Sequence, residues 1–183
     1  MCTITIHPMV EYASEVPRIA AWFFEEWRSL YGEETQASVR QRIEGWLTKN
    51  QIPTALVAVS EGQVVGTVVL KNRELQQFSF SPWLAGLFVS PEFRDKGIGA
   101  LLVRAAESEA SSLGVQRLYL YTPASQGYYE HLGWSLIEHC QLPSDSVAIM
   151  GKALQSHSSG TPNGAPKFKR KAPGDLGHAI FRS

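Results

Sequence analysis

Apolar positions along this chain follow two rhythms, and the places where one gives way to the other outline its elements. Thr3-Ile4-Thr5-Ile6 alternates with period two and is closed by Pro8, which predicts a first strand. A 3.6 period follows. Val16, Ile19, Ala20, Phe23, Trp27 and Leu30 make one helical stripe, with Ser14 placed to cap it and Pro17 tolerated in its first turn. Thr35 is placed to cap a second helix that turns Val39, Ile43, Trp46 and Leu47 inward. Residues 55–60 and 63–70 are β-rich runs joined at Glu61-Gly62, a dipeptide suited to a tight hairpin. After a polar loop over 71–81, an apolar run from Trp83 to Val89 ends at Pro91, which cannot donate to a sheet ladder.

A long amphipathic helix comes next. Ile98, Leu101, Leu102, Ala105, Ala106 and Leu113 share one face, Arg104, Glu107, Ser108 and Ser111 the other, and Gly114 sits where a left-handed cap is common. Residues 117–121 predict a fifth strand, 125–132 a short helix, and 134–138 and 147–150 the last strands. The expected order is β-α-α-β-β-β-α-β-α-β-β.

The turn into the long helix carries the first chemical signal, Arg94-Asp95-Lys96-Gly97-Ile98-Gly99-Ala100. The first amides of a helix lack intrahelical partners and carry the positive end of its dipole. Glycines there remove the Cβ atoms that would hold a phosphate away. Arg94 and Lys96 add mobile cations at the mouth. A phosphate loop of the NTPase kind would need Gly-Lys-Ser/Thr, and a dinucleotide fingerprint would need a third glycine near Leu102; neither is present. A plain tight turn with two surface cations remains the competing reading.

Composition narrows the partners. The 183 residues are 44% apolar with zero formal charge, so nucleic acid is not an expected partner. The zero hides an asymmetry. From Gln155 onward there are five Lys/Arg against one Asp, and the preceding residues hold 12 against 16, which leans toward basic or amine acceptors. Residues 155–183 are rich in Ser, Gly and Pro with a basic cluster at Lys167, Lys169, Arg170 and Lys171, and read as a disordered tail behind a domain over 1–154. Cys2 and Cys140 make no disulfide framework and show no metal spacing. With no signal peptide and no membrane span, a cytoplasmic protein is expected.

Arg-x-x-Gly-x-Gly at 94–99 resembles the pyrophosphate-binding signature of the GNAT superfamily of N-acetyltransferases. Gly127-Tyr128-Tyr129-Glu130-His131-Leu132-Gly133-Trp134 resembles that family's closing motif, in which Tyr precedes Glu-x-Leu-Gly-aromatic. Residues 149–154 are similar to its final strand, so the resemblance covers roughly residues 3 to 154. It implies an α/β (α+β) fold: a mixed, mostly antiparallel sheet splayed between the fourth and fifth strands and flanked by about four helices. It also implies direct transfer of acetyl from acetyl-CoA to an amine, without an acyl-enzyme and without a metal.

By that resemblance the amides of Arg94, Asp95, Lys96, Gly97, Ile98, Gly99 and Ala100 hold the pyrophosphate, and the backbone of Leu87, Phe88 and Val89 pairs with pantetheine like an added strand. An amide near Leu87 or Phe88 would meet the thioester oxygen as charge develops. Gly86 sits where the family has a bulge. Tyr129 matches the general acid; a phenol with a pKa of about 10 is protonated at neutral pH. Its neighbour Tyr128 is expected in the core and His131 on the surface. Where many members carry an Asn that contacts pantetheine, this chain has Thr122 before Pro123, a hydroxyl in place of an amide. Glu25 and Glu26 are candidates for a base acting through water, Glu26 sharing a helix face with Trp22. An acceptor, either a small-molecule amine or a peptide, is expected near Trp22, Trp27, Tyr31, Phe78 and Phe80. Monomer and homodimer both stay open. The rival class is an acyl-CoA-binding module without turnover, which would need the loop but not Tyr129.

Overall fold

The computed structural model describes residues 3–143 and 145–155. The basic segment expected to form a tail therefore lies, beyond Gln155, outside the described residues.

Strand β1 (Ile4–Pro8) leads into a 3-10 segment (Met9–Glu15) and helices α1 (Val16–Glu26), α2 (Arg28–Tyr31) and α3 (Gln36–Glu44). Strands β2 (Thr54–Ser60), β3 (Gln63–Lys71) and β4 (Trp83–Val89) follow, then α4 (Ile98–Ser112), β5 (Arg117–Thr122), α5 (Gln126–His131), β6 (Ser135–Gln141) and β7 (Ser146–Ala153). The strands form one sheet in the order β1-β2-β3-β4-β5-β7-β6. Its neighbours are antiparallel except β4 and β5, which run parallel.

Both faces of the sheet are covered, which is why β2 and β3 read as unbroken apolar runs. Along β2 the side chains divide by parity: Ala55, Val57 and Val59 pack with Ile19, Phe23, Val39 and Ile43 of α1 and α3. Leu56 and Ala58 belong to the opposite cluster, with Ile98, Leu102 and Val103 of α4. The Glu61-Gly62 hairpin has both residues at positive φ, 49° and 79°, the conformation that matches strand twist. Thr35 caps α3 and forms a reciprocal capping box with Ser38.

Three expectations need correction. Ser14 caps no helix; it lies inside the 3-10 segment, and α1 starts at Val16 with Pro17 in its first turn. The stripe through Trp27 and Leu30 is not one helix either. Trp27 at φ −117° and ψ 23° separates α1 from α2, and Gly32 at φ +54° closes the second piece. The periodicity survives because Trp27 and Tyr31 both stay buried in the same cluster. On α4 the buried stripe is Ile98, Leu102, Val103, Ala106 and Ala110, so Leu101 is exposed rather than inward.

The closing turn after α5 is held by polar contacts. Trp134 Nε1 donates to Glu107 of α4 at 2.8 Å, while Lys152 of β7 donates to the same carboxylate at 2.7 Å and to the Leu132 carbonyl at 2.6 Å. Among the described residues no helix is long and apolar enough to cross a membrane.

Candidate active site

The site begins with a defect in β4. Gly86 and Leu87 together oppose Val68 alone, since Ala85 pairs with Val69 and Phe88 with Thr67. The extra residue is a β-bulge, held by Thr67 Oγ1 donating to the Gly86 carbonyl at 3.0 Å. Gly86 sits at φ +56°, and a Cβ there would lie 2.8 Å from Val69 Cγ2 and 3.3 Å from Phe23 Cζ. Conformation and space both demand glycine.

Past the bulge the sheet opens. β4 and β5 pair only at Trp83 and Tyr119, where the Tyr119 amide reaches the Pro82 carbonyl at 3.1 Å. The Ser90 amide donates to Val65 of β3 at 2.9 Å. Successive residues of a strand direct their amides to opposite sides, so Val89 turns its N–H toward the gap, while its carbonyl accepts from Arg94.

At the end of β4 the chain turns through Pro91–Phe93 and enters α4. Asp95 at φ 60° and Gly97 at φ 75° are both left-handed, and nothing lies within 4 Å of where a Gly97 Cβ would be. The Leu101 amide bonds the Gly97 carbonyl at 3.1 Å, so the helical ladder starts there and the amides just before it have no helical partner. A cleft of about 250 Å³ lies over this turn. Leu87, Val89, Arg94, Asp95, Gly97, Ile98 and Gly99 line it, with Phe93 and Tyr128. Phe88, Lys96, Ala100, Thr122, Tyr129 and Glu26 are not in its wall.

The expected mobile cations are both held. Arg94 Nε donates to the Val89 carbonyl at 3.0 Å, its Nη2 lies 3.3 Å from Glu26 Oε2, and its guanidinium stands 5.7 Å from the Phe88 ring centre. Lys96 Nζ donates to the Glu92 carbonyl at 2.8 Å. Glu92 itself takes a hydrogen bond from Ser90, which holds its carboxyl below the usual carboxylate range. Phe88 faces α1, stacked on Trp22 at 5.2 Å. Glu26 is thus tied to the loop through Arg94, while Glu25 is exposed.

The two tyrosines of α5 diverge. Tyr129 is 1% exposed and packs edge-on against Trp134. Burial pushes its phenol well above the ordinary value, and the neighbouring Tyr128 adds to the effect. Tyr128, expected in the core, is only half-buried and reaches the cleft. The signal was the Tyr-Tyr pair itself: adjacent helical residues point about 100° apart, so the two cannot share one environment. Which of them faces the cleft depends on how α5 rolls against the sheet. His131 is exposed, its Nδ1 2.6 Å from the Gly127 carbonyl. Thr122 is buried and its oxygen accepts from the Ser125 amide at 3.0 Å, which starts the turn into α5.

Of the aromatics expected around an acceptor, Trp27, Tyr31 and Phe80 are buried core, and Trp22 and Phe78 are part-exposed. Beside them lies a residue that sequence reasoning missed. Glu74 is 3% exposed, its Oε2 2.7 Å from Lys71 Nζ; its Oε1 and the buried Trp27 Nε1 have no hydrogen-bond partner among the described residues. Among the described residues no group of three or more His, Cys, Asp or Glu is placed to hold a metal.

The fold is a mixed sheet whose one parallel pair splays beside an amide-bearing turn, and known proteins supply the family. The family model described as acetyltransferase (GNAT) family matches residues 16–134. An uncharacterised N-acetyltransferase of Chlorobaculum tepidum is 33% identical over 87 residues, 48% of this chain and 53% of its own length. The chain thus spans about half the length of that curated relative. An aminoglycoside 6′-N-acetyltransferase complexed with coenzyme A superposes with a TM-score of 0.69 at 17% identity, covering 85% of this chain and 99% of its own. The PaiA N-acetyltransferase of Thermoplasma acidophilum, in complex with coenzyme A, gives 0.60 at 21%, covering 82% and 99%. This chain belongs to the GNAT acetyltransferase family.

Proposed function

We propose that the chain is an acetyl-CoA-dependent N-acetyltransferase that moves acetyl directly to the amine of a small molecule or peptide. The observation that carries this reading is the continuity of one surface: the edge of β4 that the splay leaves unpaired with β5 runs into the cleft over Gly97 and Gly99. Two structural relatives whose own complexes contain coenzyme A share this fold.

Acetyl-CoA supplies the acetyl group in activated form, as a thioester. The amides of Ile98, Gly99 and Ala100 would hold its pyrophosphate, with the left-handed Gly97 leaving the approach clear. Leu87 and Val89 would take its pantetheine arm as an added strand. The bulge aims the Leu87 amide at the carbonyl that gathers charge. Tyr129 stores the proton for the departing thiolate. Its raised pKa keeps it protonated, and its ring meets that of Tyr128 at 5.2 Å, directly behind the cleft wall. Glu26 is the base: Oε2 carries Arg94, and Oε1 is unpartnered among the described residues, free to take the amine proton through water.

Release of free CoA thiol from acetyl-CoA, followed across a panel of amines and peptides, tests the proposal. Turnover with at least one acceptor is expected. In single-turnover form, Tyr129→Phe should lower the chemical rate by about 10²–10⁴-fold. Tight acetyl-CoA binding with no turnover on any acceptor would instead make the chain an acyl-CoA-binding module. The placement of Tyr129 behind the wall rather than in it is the observation on that side.

A further inference from the structure

We infer that Tyr128 is a cofactor-binding residue whose hydroxyl donates a hydrogen bond to the diphosphate of bound coenzyme A. This rests on the cleft being the coenzyme site.

Tyr128 is the one wall residue contributed by α5; the others come from β4, the turn and α4. Its hydroxyl stands at the second residue of α4, where a Cβ on Gly99 would come within 2.9 Å of the phenol oxygen. Gly99 is not at positive φ, so its backbone does not call for glycine. What an added carbon would displace is this hydroxyl. Gly99 therefore makes room for Tyr128 as well as for a ligand.

Few side chains of the cleft wall can donate a hydrogen bond. Among the described residues Arg94 and Tyr128 are the wall residues with donor side chains, and Arg94 is turned toward the Val89 carbonyl and Glu26 by its Nε and Nη2. Lys96, just outside, is engaged by the Glu92 carbonyl. The Tyr128 hydroxyl has no partner among the described residues, although half-buried phenols ordinarily find one. Burial raises its pKa, so it meets an anion as a neutral donor rather than as a repelling phenolate. The ring is fixed for the task, packed edge-on to Tyr129 with 79° between the planes. The paired tyrosines thus divide the work. Tyr128 grips the coenzyme, and Tyr129 behind it carries the proton.

The test is calorimetry of coenzyme A on the full chain, as wild type, Tyr128→Phe and Tyr128→Leu, with inorganic pyrophosphate as a competitor. Tyr128→Phe should weaken coenzyme A about tenfold or more, the usual worth of a hydrogen bond to a charged group, and weaken pyrophosphate by the same factor. Its melting temperature should match wild type, since the ring remains. Tyr128→Leu should bind no better than Tyr128→Phe. Unchanged affinity in Tyr128→Phe overturns the hydrogen bond. A loss for coenzyme A but not for pyrophosphate moves the contact to pantetheine and overturns the assignment to the diphosphate. Tighter binding by Tyr128→Leu would make Tyr128 an obstruction. If wild type binds no coenzyme A, the parent reading falls too, and this shows before any substitution is made.

Discussion

Glu26→Gln separates two roles that meet on one carboxylate. The change preserves shape and removes charge. Oε2 lies 3.3 Å from Arg94 Nη2, with the two side chains 18% and 28% exposed. At that distance the bare attraction is about 5 kcal/mol in an effective dielectric of about 20. Desolvation and screening of part-exposed groups leave about 1 kcal/mol net. Without that attraction Arg94 is free to face an anion in the cleft, and a negative charge near the diphosphate has gone. Acetyl-CoA affinity should therefore rise, by about fivefold at most. The chemical rate should move the other way, falling about 10²–10⁴-fold if Glu26 takes the amine proton. Calorimetry reads the first effect and single-turnover kinetics at saturating acetyl-CoA and amine reads the second. Raising the salt should shrink the affinity difference. A wild-type chemical rate would remove Glu26 as the base. Weaker acetyl-CoA binding would refute the electrostatic account and make Glu26 the strut that holds Arg94 in place.

Two further outcomes follow from buried groups. Gly86→Ala meets the left-handed conformation, at about 1–2 kcal/mol, and overpacking against Val69 and Phe23, at about 1–3 kcal/mol. Urea unfolding should show a loss of about 2–5 kcal/mol; a loss under about 1 kcal/mol would mean β4 relaxes around the new carbon. Burial pushes the Tyr31 phenol up to about 12, and nearby Glu34 and Glu74 add to this against Arg42. Between the ordinary phenol pKa of about 10 and that value the native state holds the proton that the unfolded chain releases. Stability present below pH 10 should thus fall as pH rises toward 12, more gently in Tyr31→Phe. A urea midpoint that does not move between pH 9 and 11.5 would contradict the burial.

Much of the local geometry at the candidate site was legible because its signals are local. Glycines at 97 and 99 beside a helix start signal an open turn with free helix-start amides through backbone geometry alone. Thr35 with Ser38, and Glu61 with Gly62, are equally local, and the structure has them as capping box and hairpin. Ser14 misled because a good capping residue does not decide where a helix begins when the preceding turns take 3-10 geometry. Arg94 and Lys96 were legible as cations but not as held cations, since Glu26 is 68 residues from Arg94 along the chain.

The amino-acid sequence by itself determined the order of the strands, the hairpin between β2 and β3, and the residue types at the turn into α4. Each follows from periodicity or from a backbone conformation that few residues tolerate. Only the tertiary structure decided which side chain occupies which face of the cleft. It sent Tyr128 to the wall and Tyr129 behind it, and it tied Arg94 to Glu26. It also left Glu74 Oε1 without a donor among the described residues. Those outcomes depend on how helices roll against a sheet and on contacts between distant segments, where a shift of a few tens of degrees changes the partner and the sequence period does not change at all.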